Sequence, residues 1–229
     1  MAATGTYAYN PATSNLTLVA FGRIGIRRTA ITAEHMADAD NEMNLVQVEL
    51  SNKQPNLWRG QTYESELEEG VATSTLPEQV IAIAAAYISI TTGDQTIDRI
   101  IWPYSTFEYA AIPNKLQQGV PTSYWYDRQA TPQITFWPVP DADDTYTAKL
   151  RVFSQIQDAS LKAGYTLDLP YRWLDVFVAN LAHRLSRIYA PDKEAMRKAD
   201  AQEAWVNAAT EDQENVPLYI APATDGYWR

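Results

Sequence analysis

The chain has 229 residues, 46% of them hydrophobic and 20% charged, which is ordinary globular material and enough for one large or two small domains. It holds no cysteine, so disulfides, thiolate chemistry and Cys-built zinc or iron–sulfur sites are excluded. The net charge is −10 and every third is acidic: 4 basic against 5 acidic residues in 1–57, 7 against 13 in 58–165, and 7 against 10 in 166–229. Phosphate neutralisation needs a basic patch, so a strong grip on DNA is excluded.

The N-terminal MAATGTYAYNPATS has neither the basic region nor the apolar run of a secretion signal, and the expectation is a chain that stays where it is made. The longest apolar run, Val80 to Ile90, is about half the ~20 residues needed to cross a bilayer. Asn15-Leu16-Thr17 is formally a glycosylation sequon, of no use without secretion.

In chain order, Leu16, Val19 and Ala20 recur at helical spacing until Gly22 and Gly25 break the run. Thr32 is a good N-cap for a second helix, with Glu34 in its first turn. Met36, Ala39, Met43, Val46 and Leu50 then step along one apolar stripe that ends near Lys53, before Pro55. From about Leu57 the period becomes two. Tyr63, Ser65 and Leu67 alternate with Glu64, Glu66 and Glu68, and Glu69 adds to this acidic face before Gly70 turns the chain. VATSTLP and QVIAIAAAYISIT read as further strands, the alanines of the second leaving a helix open. TTGDQT is a turn, and IDRIIWPYS a strand closed by Pro103.

Ser105-Thr106-Phe107-Glu108 is a capping box before a short helix that stops at Pro113 or Gly119. Thr122 to Arg128 and Gln133 to Trp137 form a predicted hairpin. Tyr124 and Tyr126 share one face of the first strand, Ile134 and Phe136 share one face of the second, and Trp125 points away from its tyrosine neighbours. One more strand alternates through Tyr146, Ala148, Leu150 and Val152. In the last third Asp168 is the expected cap and Pro170 sits in the first turn of a helix. Its apolar face is Trp173, Leu174, Phe177, Val178, Leu181, Leu185 and Ile188, and Trp173, Phe177, Leu181 and Leu185 are its predicted core. After Pro191 another helix carries Ala195, Ala199 and Val206 as a small-residue face. Beyond Glu214 the two prolines and missing period read as an extended tail.

Candidate chemistry is sparse. His35 and His183 are the only histidines, each on a predicted helix where one element cannot hold a base, its orienter and a nucleophile in line. Asp141, Asp143 and Asp144 open like a calcium loop, but Thr145 and Tyr146 stand where a ligand and the turn glycine belong, so an acidic turn is the reading. No dinucleotide, Walker, zinc-protease or nucleophile-elbow pattern occurs. Paired carboxylates among Glu64, Glu66, Glu68 and Glu69 read as a solvated face or one that repels something acidic. The hairpin rings leave two uses open, core and subunit contact or stacking on a sugar. No catalytic residue, cofactor or metal is expected.

The expected fold class is α+β: an antiparallel helical bundle from the N- and C-terminal helices, with an inserted antiparallel β domain and an extended C-terminal tail. The parts are residues 1–57 and 166–212 for the bundle, 58–165 for the β insertion and 213–229 for the tail. Their order, with FGRIGI, NLW, TLP, GVPTSYWYDRQATPQITFWPVPD and DLPYRWLDVFVANLAHRLSRIYAPD, resembles the head-to-tail adaptor proteins of short-tailed bacteriophages, the tail accessory or tail-tubular-A-like group.

That resemblance implies a virion protein of the neck, assembled in the host cytoplasm as a ring of about twelve copies under the portal protein. DNA would pass through its centre without sequence-specific binding, and tail nozzle, tubular and fibre proteins would dock below. The tail, through Val216, Leu218, Tyr219, Ile220, Tyr227 and Trp228, would reach the portal. Glu64, Glu66, Glu68 and Glu69 would face the lumen or solvent. The alternative is a carbohydrate-binding or cell-wall-active tail component that uses the aromatic hairpin.

Overall fold

Two hydrophobic cores divide the chain, one between helices and one between sheets. The structure, a computed structural model, describes residues 9–53 and 57–212. The predicted tail residues Val216, Leu218, Tyr219, Ile220, Tyr227 and Trp228 therefore lie outside the described residues.

Helix α1 (Thr13–Ile24) ends at Gly25, whose φ of 93° is the left-handed conformation that glycine supplies at a helix end. The Lys193 ammonium donates to the Ile24 carbonyl at 2.8 Å and satisfies one orphan acceptor there. Helix α2 (Ala33–Lys53) follows Thr32, whose hydroxyl accepts from the His35 N–H at 3.4 Å, as a cap should. Its stripe of Ala39, Met43, Val46 and Leu50 is buried.

The β region is a sandwich of two four-stranded sheets. Strands β1 (Gly60–Leu67), β3 (Val80–Thr92), β4 (Gln95–Ile100) and β8 (Thr145–Ser154) make one, in the order β1-β8-β3-β4. Strands β2 (Thr73–Thr75), β5 (Trp102–Tyr104), β6 (Ser123–Asp127) and β7 (Gln133–Trp137) make the other, in the order β2-β7-β6-β5. Tyr146, Ala148, Leu150 and Val152 from one sheet meet Tyr124, Ile134 and Phe136 from the other in a single buried cluster. The alanine-rich segment 80–92 is a strand, not a helix.

All pairs are antiparallel except β5–β6, which is parallel and needs the crossover through α3 (Thr106–Ala111). IDRIIWPYS is not one strand closed by Pro103. The chain changes sheets at buried Ile101, and Pro103 sits inside β5, where an edge strand tolerates its missing N–H.

The second helical part holds α4 (Leu174–Tyr189) and α5 (Glu194–Glu211). A 3-10 turn at Tyr171–Trp173 precedes α4, so Pro170 stands before that turn and Asp168 is not the cap. Trp173, Phe177, Leu181 and Leu185 are buried among residues of α1 and α2. Ile188 is 47% exposed although Leu185 and Tyr189 on either side of it pack in the helical cluster, so the apolar face of α4 narrows at its end. The face of α5 was also misplaced. Ala195, Ala199 and Val206 face outward, while Ala201, Ala204, Trp205 and Ala208 pack inward.

Candidate interaction surfaces

The aromatic hairpin divides its rings between two faces. Register pairs Tyr124 with Phe136 and Tyr126 with Ile134, and these point into the sandwich. Trp125 pairs with Thr135 and Trp137 with Ser123, so the two tryptophans share the outer face of the second sheet with Trp102 and Tyr104 of β5. The chain itself covers part of that face, at Trp125 and Trp137. Ser105 and Glu108 close the expected capping box, with Ser105 N–H donating to Glu108 at 2.7 Å and Glu108 N–H to the Ser105 hydroxyl at 3.2 Å. Helix α3 then lays Tyr109 parallel to Trp125, with centroids 5.0 Å apart and an interplanar angle of 8°. Trp125 Nε1 donates to the Thr106 hydroxyl and Trp137 Nε1 to the Asn114 carbonyl. One ring face of Trp125 is taken by Tyr109.

What stays exposed lies around this cover. Trp102 is 68%, Phe107 83% and Leu116 78% exposed, with Ile97 and Ile100 of edge strand β4 nearby in the chain. Of these, Ile97, Ile100 and Trp102 lie on the edge strands β4 and β5, where open apolar side chains make a candidate contact surface. Sequence reading missed it because treating residues 97–105 as one strand hid both edges.

Glu64 and Glu66 are exposed on β1, and Glu68 and Glu69 in the turn beyond it. Their face is mixed once neighbours are counted. Glu64 pairs across from Lys149 and Thr62 from Arg151, so two cations of β8 share the side of the sheet that carries the carboxylates.

In the bundle, Arg184 of α4 clamps α2 through Glu42 at 3.2 Å and Glu49 at 3.0 Å, and Lys53 adds a third contact to Glu49 at 3.0 Å. Burial works to raise the Glu49 carboxyl, but the hydrogen bonds and charges of Lys53 and Arg184 outweigh it and hold it below its ordinary value. Where α5 ends, the buried Asp212 carboxylate accepts from the Leu57 N–H at 3.1 Å and from Arg172 at 2.7 Å. This fixes the point from which residues 213–229 depart.

His183 of α4 sits among charged side chains. Its Nε2 lies 3.3 Å from the Arg187 guanidinium and 3.9 Å from Glu194. Burial and then the Arg187 charge push its pKa below 6.5; Lys198 acts in the same sense, and Glu194 and Glu49 oppose. The folded imidazole resists a proton that the unfolded one accepts, so this contribution to stability is complete above the unfolded value and is lost as pH falls from there through the lowered folded value. Arg187→Gln is expected to raise the His183 midpoint in an imidazole NMR titration; an unmoved His183 would contradict the assignment.

Residues 22–223 match the family model described as SU10 adaptor protein. The chain belongs to the SU10 adaptor family. A solved structure similar to this adaptor is the neck of an empty GTA particle computed with C6 symmetry, at 10% identity over 77% of this chain and 80% of that one, with a TM-score of 0.26. No curated protein matches it. The described part of the adaptor contains no helix long and apolar enough to cross a membrane, and no group of three or more His, Asp or Glu side chains placed to hold a metal ion.

Proposed function

We propose that this SU10-family adaptor is a head-to-tail connector of a phage neck. About twelve copies form a ring that binds the portal protein, extends the DNA channel and offers a docking platform to tail nozzle and fibre proteins. The observation that carries the reading is the family match over residues 22–223, joined to exposed apolar side chains at the β4–β5 edges and on α2 (Leu45, Val48) and α5 (Met196, Val206). A lone soluble chain has little reason to leave these open. An acidic chain suits a channel that must release its cargo, since like charge keeps phosphates off the wall. The segment 216–228 reaches the portal, the β sandwich presents the docking surface below, and no catalytic role is assigned.

Native mass spectrometry of the purified chain, alone and with the portal of the same phage, tests this. The expected result is a 25.7 kDa monomer that becomes a stoichiometric ring on the portal and fails to do so after deletion of residues 215–229. A chain indifferent to the portal would sink the connector reading, and a deletion variant that still assembles would sink the role of the tail.

A further inference from the structure

The charges of the helical part are sorted by helix. Residues 9–31, which include α1, hold three arginines and no acidic residue, whereas α2 holds five carboxylates and one lysine. On α2, Glu42 and Glu49 are engaged by Arg184, and Asp38 accepts from the Tyr189 hydroxyl, while Glu34 and Asp40 stand exposed. Beyond α1, Arg27 and Arg28 are exposed. Each charged set accompanies an apolar patch. Val19 of α1 is exposed, and Gly22 one turn on leaves open space above its Cα. Leu45 and Val48 of α2 are exposed and line a shallow groove.

The spacing of the two surfaces matches. Along α2, Asp40 and Glu34 lie roughly 8 and 16 Å from Leu45, and Arg27 and Arg28 follow Val19 within about 20 Å of chain. Both charged sets also lie at one end of the bundle, because His35 in the first turn of α2 stacks on Tyr189 of α4 with centroids 4.4 Å apart and meets Phe21 of α1 edge-on at 5.7 Å. A rotation about an axis along the bundle, with no shift, brings the acidic surface of one copy level with the basic surface of the next. Contacts of that kind close into a ring. We propose that the exposed face of α2 docks a second copy of this chain, whose α1 seats Val19 between Leu45 and Val48 and sets Arg27 and Arg28 against Asp40 and Glu34. Opposite charge selects this pairing over α2 against α2, where like charges repel. The contact is the lateral one of the ring proposed above and rests on that reading for its closure.

The chain has no cysteine, so thiols can be placed one at a time. The test uses the full-length chain with Val19→Cys, Val48→Cys or both, treated with a short bis-maleimide, free at high concentration and with the portal. The double variant is expected to give a ladder of covalent multimers. Each single variant should stay monomeric, and a mixture of the two should stop at the dimer. Adding Arg28→Glu to the double variant should weaken the ladder about tenfold, and Asp40→Arg added to that should restore it. All four positions are exposed, so unchanged melting checks that the variants fold. A double variant that stays monomeric in both settings overturns the proposal, as does a dimer from either single variant, which means that like faces meet. A ladder indifferent to both charge changes overturns the role given to the charges. Portal binding is scored separately: a ring on the portal without cross-links sinks this contact and leaves the connector reading standing, while cross-links in a chain that ignores the portal do the reverse.

Discussion

Phe177→Ala is expected to lower the thermal midpoint by roughly 10 °C or more, which a far-UV circular dichroism melt of the free chain would read. The ring is fully buried in the first turn of α4, and its cluster takes in Phe21 of α1, Met43 and Val46 of α2 and Ala208 of α5. Truncation removes the transfer energy of the ring and leaves a cavity that four helices cannot close together, at a cost of about 3–5 kcal/mol. Against a typical domain stability of about 5–15 kcal/mol, that is a large share. Ile188→Ala on the same helix is the control. Ile188 is half in water, so its loss should stay under about 1 kcal/mol. Equal melts for the two variants would mean that the helical core is not where the buried face of α4 places it.

Asp212→Ala is expected to cost about 2 kcal/mol and to speed exchange of the Leu57 amide tenfold or more. The Asp212 side chain is completely buried, so its two hydrogen bonds form out of competition with water. Breaking a fully buried pair costs more, but the Arg172 side chain is 45% exposed and regains solvent when its partner leaves, which lowers the figure. Asp212→Asn keeps an oxygen for the Leu57 N–H and should lose about half as much. Hydrogen exchange separates a local effect from a global one: protection at Leu57 should fall while that of β8 and α4 holds. Uniform loss across the chain would instead make Asp212 a general stability residue, not a local anchor.

Much of this fold was legible because two elements carry strict periods. Tyr146, Ala148, Leu150 and Val152 alternate on β8, and all four are buried, since a central strand has only one inward face. The α2 stripe was equally plain. Alanine is where reading failed. Helix α5 has alanines on several sides, and nothing in their spacing says which packs; the larger Trp205 beside Ala204 and Ala208 marks the inward face. The strand at 97–104 was misread because hydropathy does not record which sheet a strand joins, and the switch rests on one residue, Ile101.

The candidate surfaces were legible to a similar depth. Alternation separated Trp125 from Tyr124 and Tyr126, but that Tyr109 would lie on Trp125 depends on a fold-back of 16 residues that no local pattern encodes. The burial of Arg59 gave no signal at all. An arginine after a tryptophan in NLWRG reads as a surface residue, and only the approach of β8 from 95 residues away buries it.

The two ends of the β region are neighbours. Gly60, where β1 begins, pairs with Phe153, one residue before β8 finishes. The helical part therefore meets the whole sandwich through two adjacent strand ends, roughly 5 Å apart. Such a joint behaves like a socket: a different insert of any size can be exchanged during evolution, provided it returns to the same spot, while the helices beneath keep their packing. The β region can thus change its outer surface without disturbing how the helices pack on one another.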